Sequence, residues 1–356
     1  MEKAALIKSS KEGVSFDPCN ILVIDFGQLG DVVLSLPALR AIRERFPRAR
    51  ITVAVGKPGA EIVNLSGYAN STLVVDRVAL RDGLKIFAIA RMIRLVKDVR
   101  RAQFDFVIDL HSLSETNLLG YLSGAPKRLY SRRPGRSLNY LANFDPPPPV
   151  EDNNPNKHLV DRYLEVLLPL RISNAIRVPS LRTRSEDDAT VERLLQKEKA
   201  ASGTPLVGLY PGAGHPSRRW PLPRFAELAE RLVRNDNVRV IVFTGPEERE
   251  MLKEIRVSFP RSVIVFDKLT IPQLAAAMAR LSVLVSNDTG PMHIATAVGA
   301  TAVVLLDKQA PNVFQPLGEQ HRLIRSHAIS ELPTEQVYDH TRAVLAGGRM
   351  AALFAI

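Results

Sequence analysis

Cysteine is almost missing from this chain: Cys19 is the only one in 356 residues. No intrachain disulfide can form, and an oxidising compartment is not implied. There is no Cys-x-x-Cys pair and no clustered Cys/His pattern, so the sequence offers no metal site. Aromatic residues make up 6%, and no RRM, KH or zinc-finger pattern occurs, which sets nucleic-acid binding aside. No apolar run reaches the roughly 18 residues of a membrane span. The first twenty residues, MEKAALIKSSKEGVSFDPCN, lack the apolar core of a signal peptide. The expectation is a cytoplasmic protein, at most peripheral to a membrane.

What is present is an alternation of short apolar runs with amphipathic stretches. Residues 21–24 and 51–55 read as strands, and Leu34, Leu36, Leu39, Ala41 and Ile42 between them follow a helical pattern. Further strands are expected at 73–75, 106–110, 207–210, 238–243, 263–266, 283–285 and 302–306. Strand, helix, strand repeated in this way is the order of a parallel α/β sheet. The strongest punctuation is NFDPPPPVEDNNPNKH at 143–158, because four consecutive prolines continue neither a helix nor a central strand. The length exceeds one ordinary domain, and 46% hydrophobic residues fill two cores. Two Rossmann-like halves, 1–170 and 171–330, are therefore expected around a cleft, followed by a terminal helical segment 331–356. The net charge of +11 points to an acidic partner without choosing among phosphorylated substrate, anionic membrane and nucleic acid.

Chemistry concentrates at the turns that follow strands. Asn287-Asp288-Thr289-Gly290-Pro291-Met292-His293 breaks a strand and opens a small-residue helix, whose free N–H groups and dipole favour an anion. The same residues also read as an ordinary capped helix, with Asp288 or Thr289 as cap and Pro291 in the first turn. Asp31 follows Gly30 at a sharp strand-to-helix turn, either projecting a carboxylate into the cleft or capping the helix. The loop Gly27-Gln28-Leu29-Gly30 has the wrong spacing for a dinucleotide fingerprint. Tyr210-Pro211-Gly212-Ala213-Gly214 lets backbone amides approach phosphate. Ser217, Arg218 and Arg219 follow it, and the two arginines read either as a phosphate clamp or as solvated charges. Trp220, the only tryptophan, is expected to pack behind this loop rather than stack on a base.

Taken in order, residues 21–40 (ILVIDFGQLGDVVLSLPALR), 207–228 (VGLYPGAGHPSRRWPLPRFAEL), 241–250 (IVFTGPEERE) and NDTGPMHIATAVGA resemble the bacterial lipopolysaccharide heptosyltransferases, glycosyltransferase family 9. The resemblance implies a GT-B fold in which the N-terminal domain binds acceptor and the C-terminal domain binds nucleotide sugar. The last helix would cross back onto the first domain. It implies inverting, metal-independent transfer of a heptosyl unit from ADP-L-glycero-D-manno-heptose to the lipopolysaccharide inner core, with Asp31 as base. Gly212, Ser217, Arg218, Glu248, Asp288, Thr289, Gly290 and His293 would serve the donor, Glu248 on ribose and His293 on diphosphate or sugar, although Glu248 also reads as a helix-start acid and His293 as a structural histidine. Lys57, Arg128, Arg132, Arg133 and Arg136 would meet an acidic, lipid-linked acceptor, although a solvated charged loop reads the same way. Two positions depart from the family pattern: Asp25 stands where a basic residue is usual, and Arg218 where a lysine is usual. A related transferase with another nucleotide sugar or acceptor, or a non-catalytic GT-B-like binding module, are the alternatives. Residues 85–101 form a cationic amphipathic helix that either packs on its sheet or rests on an anionic leaflet.

Overall fold

In a computed structural model, which describes residues 16–75, 85–135, 138–152, 154–172, 174–200 and 203–353, the apolar runs become strands of two parallel sheets. The side chains of residues 85–91 and 348–353 lie outside that description. The first sheet contains β1 (Asn20–Asp25), β2 (Arg50–Gly56), β3 (Ser71–Val75), β4 (Phe106–Asp109) and β5 (Lys127–Tyr130), in the order β3-β2-β1-β4-β5. The second contains β6 (Leu206–Tyr210), β7 (Arg239–Phe243), β8 (Ile264–Phe266), β9 (Val283–Asn287), β10 (Ala302–Asp307) and β11 (Arg322–Ser326), in the order β11-β10-β9-β6-β7-β8.

Both sheets are wound in two directions from their first strand. The reversals fall between β1 and β4 and between β6 and β9, where the outgoing chains diverge and open a crevice beyond the strand ends. Register places Ile24 beside Asp109 and Tyr210 beside Ser286, so Asp25, Asp109, Tyr210 and Asn287 stand at these two crevices. Strands β1, β6 and β9 are apolar almost throughout because both faces are covered by helices.

Crossover helices in the first half are α1 (Leu29–Arg45), α2 (Lys57–Ser66), α3 (Lys85–Arg101) and α4 (Ser114–Leu122). The connecting segment adds α5 (Leu159–Glu165), and the second half carries α6 (Ser185–Lys197), α7 (Leu222–Asn235), α8 (Leu252–Ser258), α9 (Ile271–Met278), α10 (Gly290–Ala297) and α11 (Thr334–Leu353). Helix α1 packs against both α5 and α10, and α2 against α9, so the halves meet along helices that begin at the crevices. Val32 and Leu36 of α1 share one apolar cluster with Met292 and Ile294 of α10.

Three local outcomes refine the sequence expectations. Strands β5 and β11 escaped the reading of apolar runs because they are edge strands, KRLY and RLIRS, with charged residues that block further pairing. Helix α3 packs on its own sheet through Val99, Leu95 and Val96, and leaves Met92 and Ile93 exposed. The end of the segment expected to cross, 348–356, lies outside the described side chains, and the described ones of α11 lie on the second domain. Val337, Tyr338 and Leu345 join the core of the second domain with Phe225 and Leu228 of α7.

Candidate donor and acceptor site

Two helix N-termini abut across the cleft. A Cβ on Gly30 would lie 3.0 Å from His293 Cδ2 and 3.5 Å from the Cα of Gly290. A Cβ on Gly290 would lie 3.2 Å from Leu29 Cβ and 3.3 Å from the Gly30 nitrogen. Glycine at both places lets α1 and α10 begin against each other. Asp31, Gly290 and His293, far apart in sequence, are thereby brought together.

Asp31 is half-buried in the first turn of α1, and its Oδ2 accepts a hydrogen bond from the Gln28 N–H at 2.9 Å. It thereby caps the first turn of the helix, and its neighbour Gly30 meets α10. Opposite it, Thr289 occupies the N-cap of α10 in extended conformation without a side-chain cap, and Pro291 sits in the first turn. Neither Asp288 nor Thr289 caps the turn with its side chain; Pro291 brings no N–H, and the Met292 N–H donates to the Thr289 carbonyl at 3.1 Å, so the donor left at the start of the helix is the Gly290 N–H. Asp288 is raised from its ordinary pKa by burial, against the opposing pull of Arg218 and then Arg325. His293 is buried, and burial lowers it to about 4, so it is a neutral imidazole at physiological pH.

The glycine loop after β6 is held from below. Asn287 Nδ2 donates to the carbonyls of Pro211 (2.9 Å) and Gly212 (3.3 Å), while Asn287 Oδ1 accepts from the Trp220 N–H (3.0 Å). Trp220 is buried, meets Phe225 edge-on at 4.8 Å and donates through Nε1 to the Leu332 carbonyl at 2.9 Å. It packs behind the loop. Glu248, also buried, lies directly under Gly212 and accepts from Tyr210 Oη (2.9 Å) and the Gly245 N–H (2.8 Å). These are internal bonds that shape the loop. Arg219 is likewise committed to it, donating to the Ala213 carbonyl through Nε and Nη2. Arg218 is exposed and Ser217 Oγ pairs with His215 Nδ1 at 2.7 Å. Of the two arginines, Arg218 is the exposed one, and its charge acts on Asp288.

On the acceptor side the expected cations separate. Lys57 is exposed in the first turn of α2, at the carboxyl end of β2. Arg128 is drawn away, donating to the carbonyls of Leu141 (2.8 Å) and Ala125 (2.6 Å) near the start of β5. It does not join the other cations. Arg133 donates to the His111 carbonyl (3.1 Å) and pairs with Glu151 (3.1 Å). Arg132 is half-buried and its backbone bridges Val150. Arg136 lies outside the described residues.

Several residues here carried no functional reading in the sequence. Buried Asp109 accepts from the His111 and Ser112 N–H groups and from Asn117 Nδ2, and desolvation raises it to about 6 against those bonds. Tyr163 of α5 is raised first by burial and then by the nearby Asp25 and Asp31 carboxylates. Arg325 of β11 reaches Asn312 and the Ala310 carbonyl beside Asp288. Their partners come from other elements, so no local motif marks them.

Two doubly wound parallel domains that meet along a cleft make up the GT-B fold. The profile of glycosyltransferase family 9 (heptosyltransferase) matches residues 92–343, and the chain belongs to that family. It is 25% identical over 324 residues to lipooligosaccharide heptosyltransferase 2 of Haemophilus influenzae, covering 86% of this chain and 88% of that one. With lipopolysaccharide heptosyltransferase 2 of Salmonella typhimurium it shares 24% over 332 residues, 89% of this chain and 92% of the relative. Its fold is similar to a family 9 glycosyl transferase from Veillonella parvula, with TM-score 0.79, 24% identity and coverage of 94% and 99%. It is also similar to the E. coli ADP-heptose lipopolysaccharide heptosyltransferase II, with TM-score 0.77, 21% identity and coverage of 93% and 99%.

Proposed function

We propose that this protein transfers a heptosyl unit from ADP-L-glycero-D-manno-heptose to the inner core of lipopolysaccharide, with inversion and without a metal ion. The observation that carries the reading is the contact of the α1 and α10 N-termini, where Gly30, the neighbour of Asp31, meets Gly290 and His293. The names of the curated relatives support the sugar and the acceptor.

In this reading Asp31 takes the proton of an acceptor hydroxyl, and the oxygen bonds to the anomeric carbon from the face opposite ADP. The bond from that carbon to the diphosphate breaks, and its electron pair leaves on phosphate oxygen. The backbone amides at Thr289 and Gly290 and the Arg218 guanidinium receive this charge. Neutral His293 lines the space between the helices and donates or accepts without adding charge. Lys57, Arg132, Arg133 and Arg136 serve the acidic acceptor.

A lipid-linked acceptor reaches the protein at a membrane, and no helix among the described residues is long and apolar enough to cross one. We assign contact with the inner leaflet to the outer face of α3, where Met92 and Ile93 are exposed beside Arg94, Lys97, Arg100 and Arg101. Arg94→Glu with Lys97→Glu should lower binding to phosphatidylglycerol vesicles at least about tenfold, since each juxtamembrane cation contributes about 1 kcal/mol. Unchanged co-sedimentation would remove α3 from this role.

Asp31→Asn tests the base. Its amide can still accept from Gln28, so the helix cap is kept. Turnover should fall by about 10²-fold or more while the Kd for ADP-heptose stays within about twofold. Near-normal turnover would remove Asp31 from catalysis.

A further inference from the structure

The turn after β4 is held more firmly than a connection requires. Asp109 Oδ1 accepts from the N–H groups of His111 (3.0 Å) and Ser112 (2.8 Å), and its Oδ2 accepts from Asn117 Nδ2 (2.7 Å). Ser112 has φ +45°, a left-handed backbone that a side chain adopts only at a cost. Arg133 Nη1 donates to the His111 carbonyl at 3.1 Å. The backbone of His111 is thus fixed at both its N–H and its C=O.

The side chain so positioned meets Asp25. His111 Nδ1 lies 3.7 Å from Asp25 Oδ1, with the two side chains 18% and 1% exposed. Asp25 Oδ1 also accepts from the Gly27 N–H at 2.9 Å, while Oδ2 is buried with no hydrogen-bond partner among the described residues. A carboxylate in that setting strongly favours a proton donor beside it. Unliganded sites commonly hold such pairs slightly long and tighten them when substrate binds. Asp31 is close by: a Cβ on Gly27 would lie 3.0 Å from Asp25 Oδ1 and 3.3 Å from Asp31 Oδ2.

We propose that Asp25 and His111 form an acceptor-binding pair, in which Asp25 orients the imidazole and His111 Nε2 accepts a hydrogen bond from a sugar hydroxyl of the acceptor beside Asp31. With Nδ1–H directed at the carboxylate, the imidazole is fixed in the tautomer that leaves Nε2 bare. The ligand is a neutral polyol face, since a paired imidazole and carboxylate carry no excess positive charge for an anion. The inference rests on the transferase reading for the identity of the acceptor, but the pair itself is measurable without catalysis.

The first arm is ¹⁵N NMR of histidine-labelled full-length protein. His111 should show the Nδ1–H tautomer, and Asp25→Ala, which removes the acceptor, should abolish that preference; an Nε2–H tautomer in the unsubstituted protein overturns the pair. The second arm titrates the labelled protein with deacylated heptose-deficient core oligosaccharide. The Nε2 resonance should move, and an unmoved resonance at saturation overturns the contact. The third arm is kinetic. His111→Ala should raise the KM for this acceptor at least about tenfold, with the ADP-heptose Kd unchanged and partial recovery in His111→Gln. An unchanged acceptor KM in a normally folded His111→Ala overturns the proposal. If Nε2 moves with acceptor but no heptose is transferred, the transferase reading fails and the pair stands.

Discussion

Gly212 shows how one missing side chain shapes the donor loop. A Cβ there would press into the Glu248 carboxylate, which is buried and already bonded to Tyr210 Oη and the Gly245 N–H. Neither the loop nor the glutamate can yield without breaking those bonds. Gly212→Ala should therefore weaken ADP-heptose binding by about tenfold or more, the equivalent of one lost hydrogen bond to a charged group. Calorimetric titration reads it, and an unaltered Kd would show that the loop's shape does not matter to the donor. The requirement for glycine was legible in the sequence, but its cause was not. The reading assigned Gly212 to phosphate approach, and the atom that excludes a side chain comes from a turn 36 residues later, Glu248.

At the scale of elements, the donor side depends on tying the turn after β6 to the end of β9. Asn287 does this with three buried hydrogen bonds to Trp220, Pro211 and Gly212. Asn287→Leu leaves the Trp220 N–H and the loop carbonyls unpaired, and each buried unsatisfied group costs about 1–3 kcal/mol. A clear drop in melting temperature together with weaker donor binding is expected; retention of both would mean the loop is fixed by other contacts. The central strands were legible because burial on both faces makes them continuously apolar. Edge strands β5 and β11 were not, since their charged residues serve the solvent side of the sheet. The motif around Asp288 was legible as strand, turn and helix, whereas Arg325 and Tyr163 join their crevices only through folding. The cationic stretch RLYSRRPGR reads as one acceptor loop, yet its first three residues belong to β5, and Arg128 is spent on backbone carbonyls there.

Across the whole molecule, two buried groups oppose each other in acid. Burial lowers His293 from 6.5 to about 4, so between those values the folded protein binds fewer protons than the unfolded chain. Its contribution is intact above pH 6.5 and is lost as pH falls towards 4, by about 3 kcal/mol in total. Asp109 has the reverse sign. Raised from 3.8 to about 6, it favours the folded state below 3.8 and loses that advantage as pH rises through 6. The slopes cancel across the shared window in the unsubstituted protein. His293→Gln should leave the Asp109 slope exposed, so denaturant titrations should show the variant gaining stability relative to the unsubstituted protein as pH falls from about 6.5 to 4. Parallel curves would mean that His293 takes up its proton as readily in the folded protein as in the unfolded chain. Both groups stand beside the cleft between the domains, whose joint use defines the transferase. The most direct measurement is a mass-spectrometric assay of the full chain with heptose-deficient core acceptor, comparing ADP-heptose with UDP- and GDP-linked sugars, with and without EDTA. Addition of one heptosyl unit to the acceptor from ADP-heptose alone, unaffected by EDTA, is expected. Transfer from another nucleotide sugar, loss of transfer in EDTA, or no modified acceptor with any donor would contradict it.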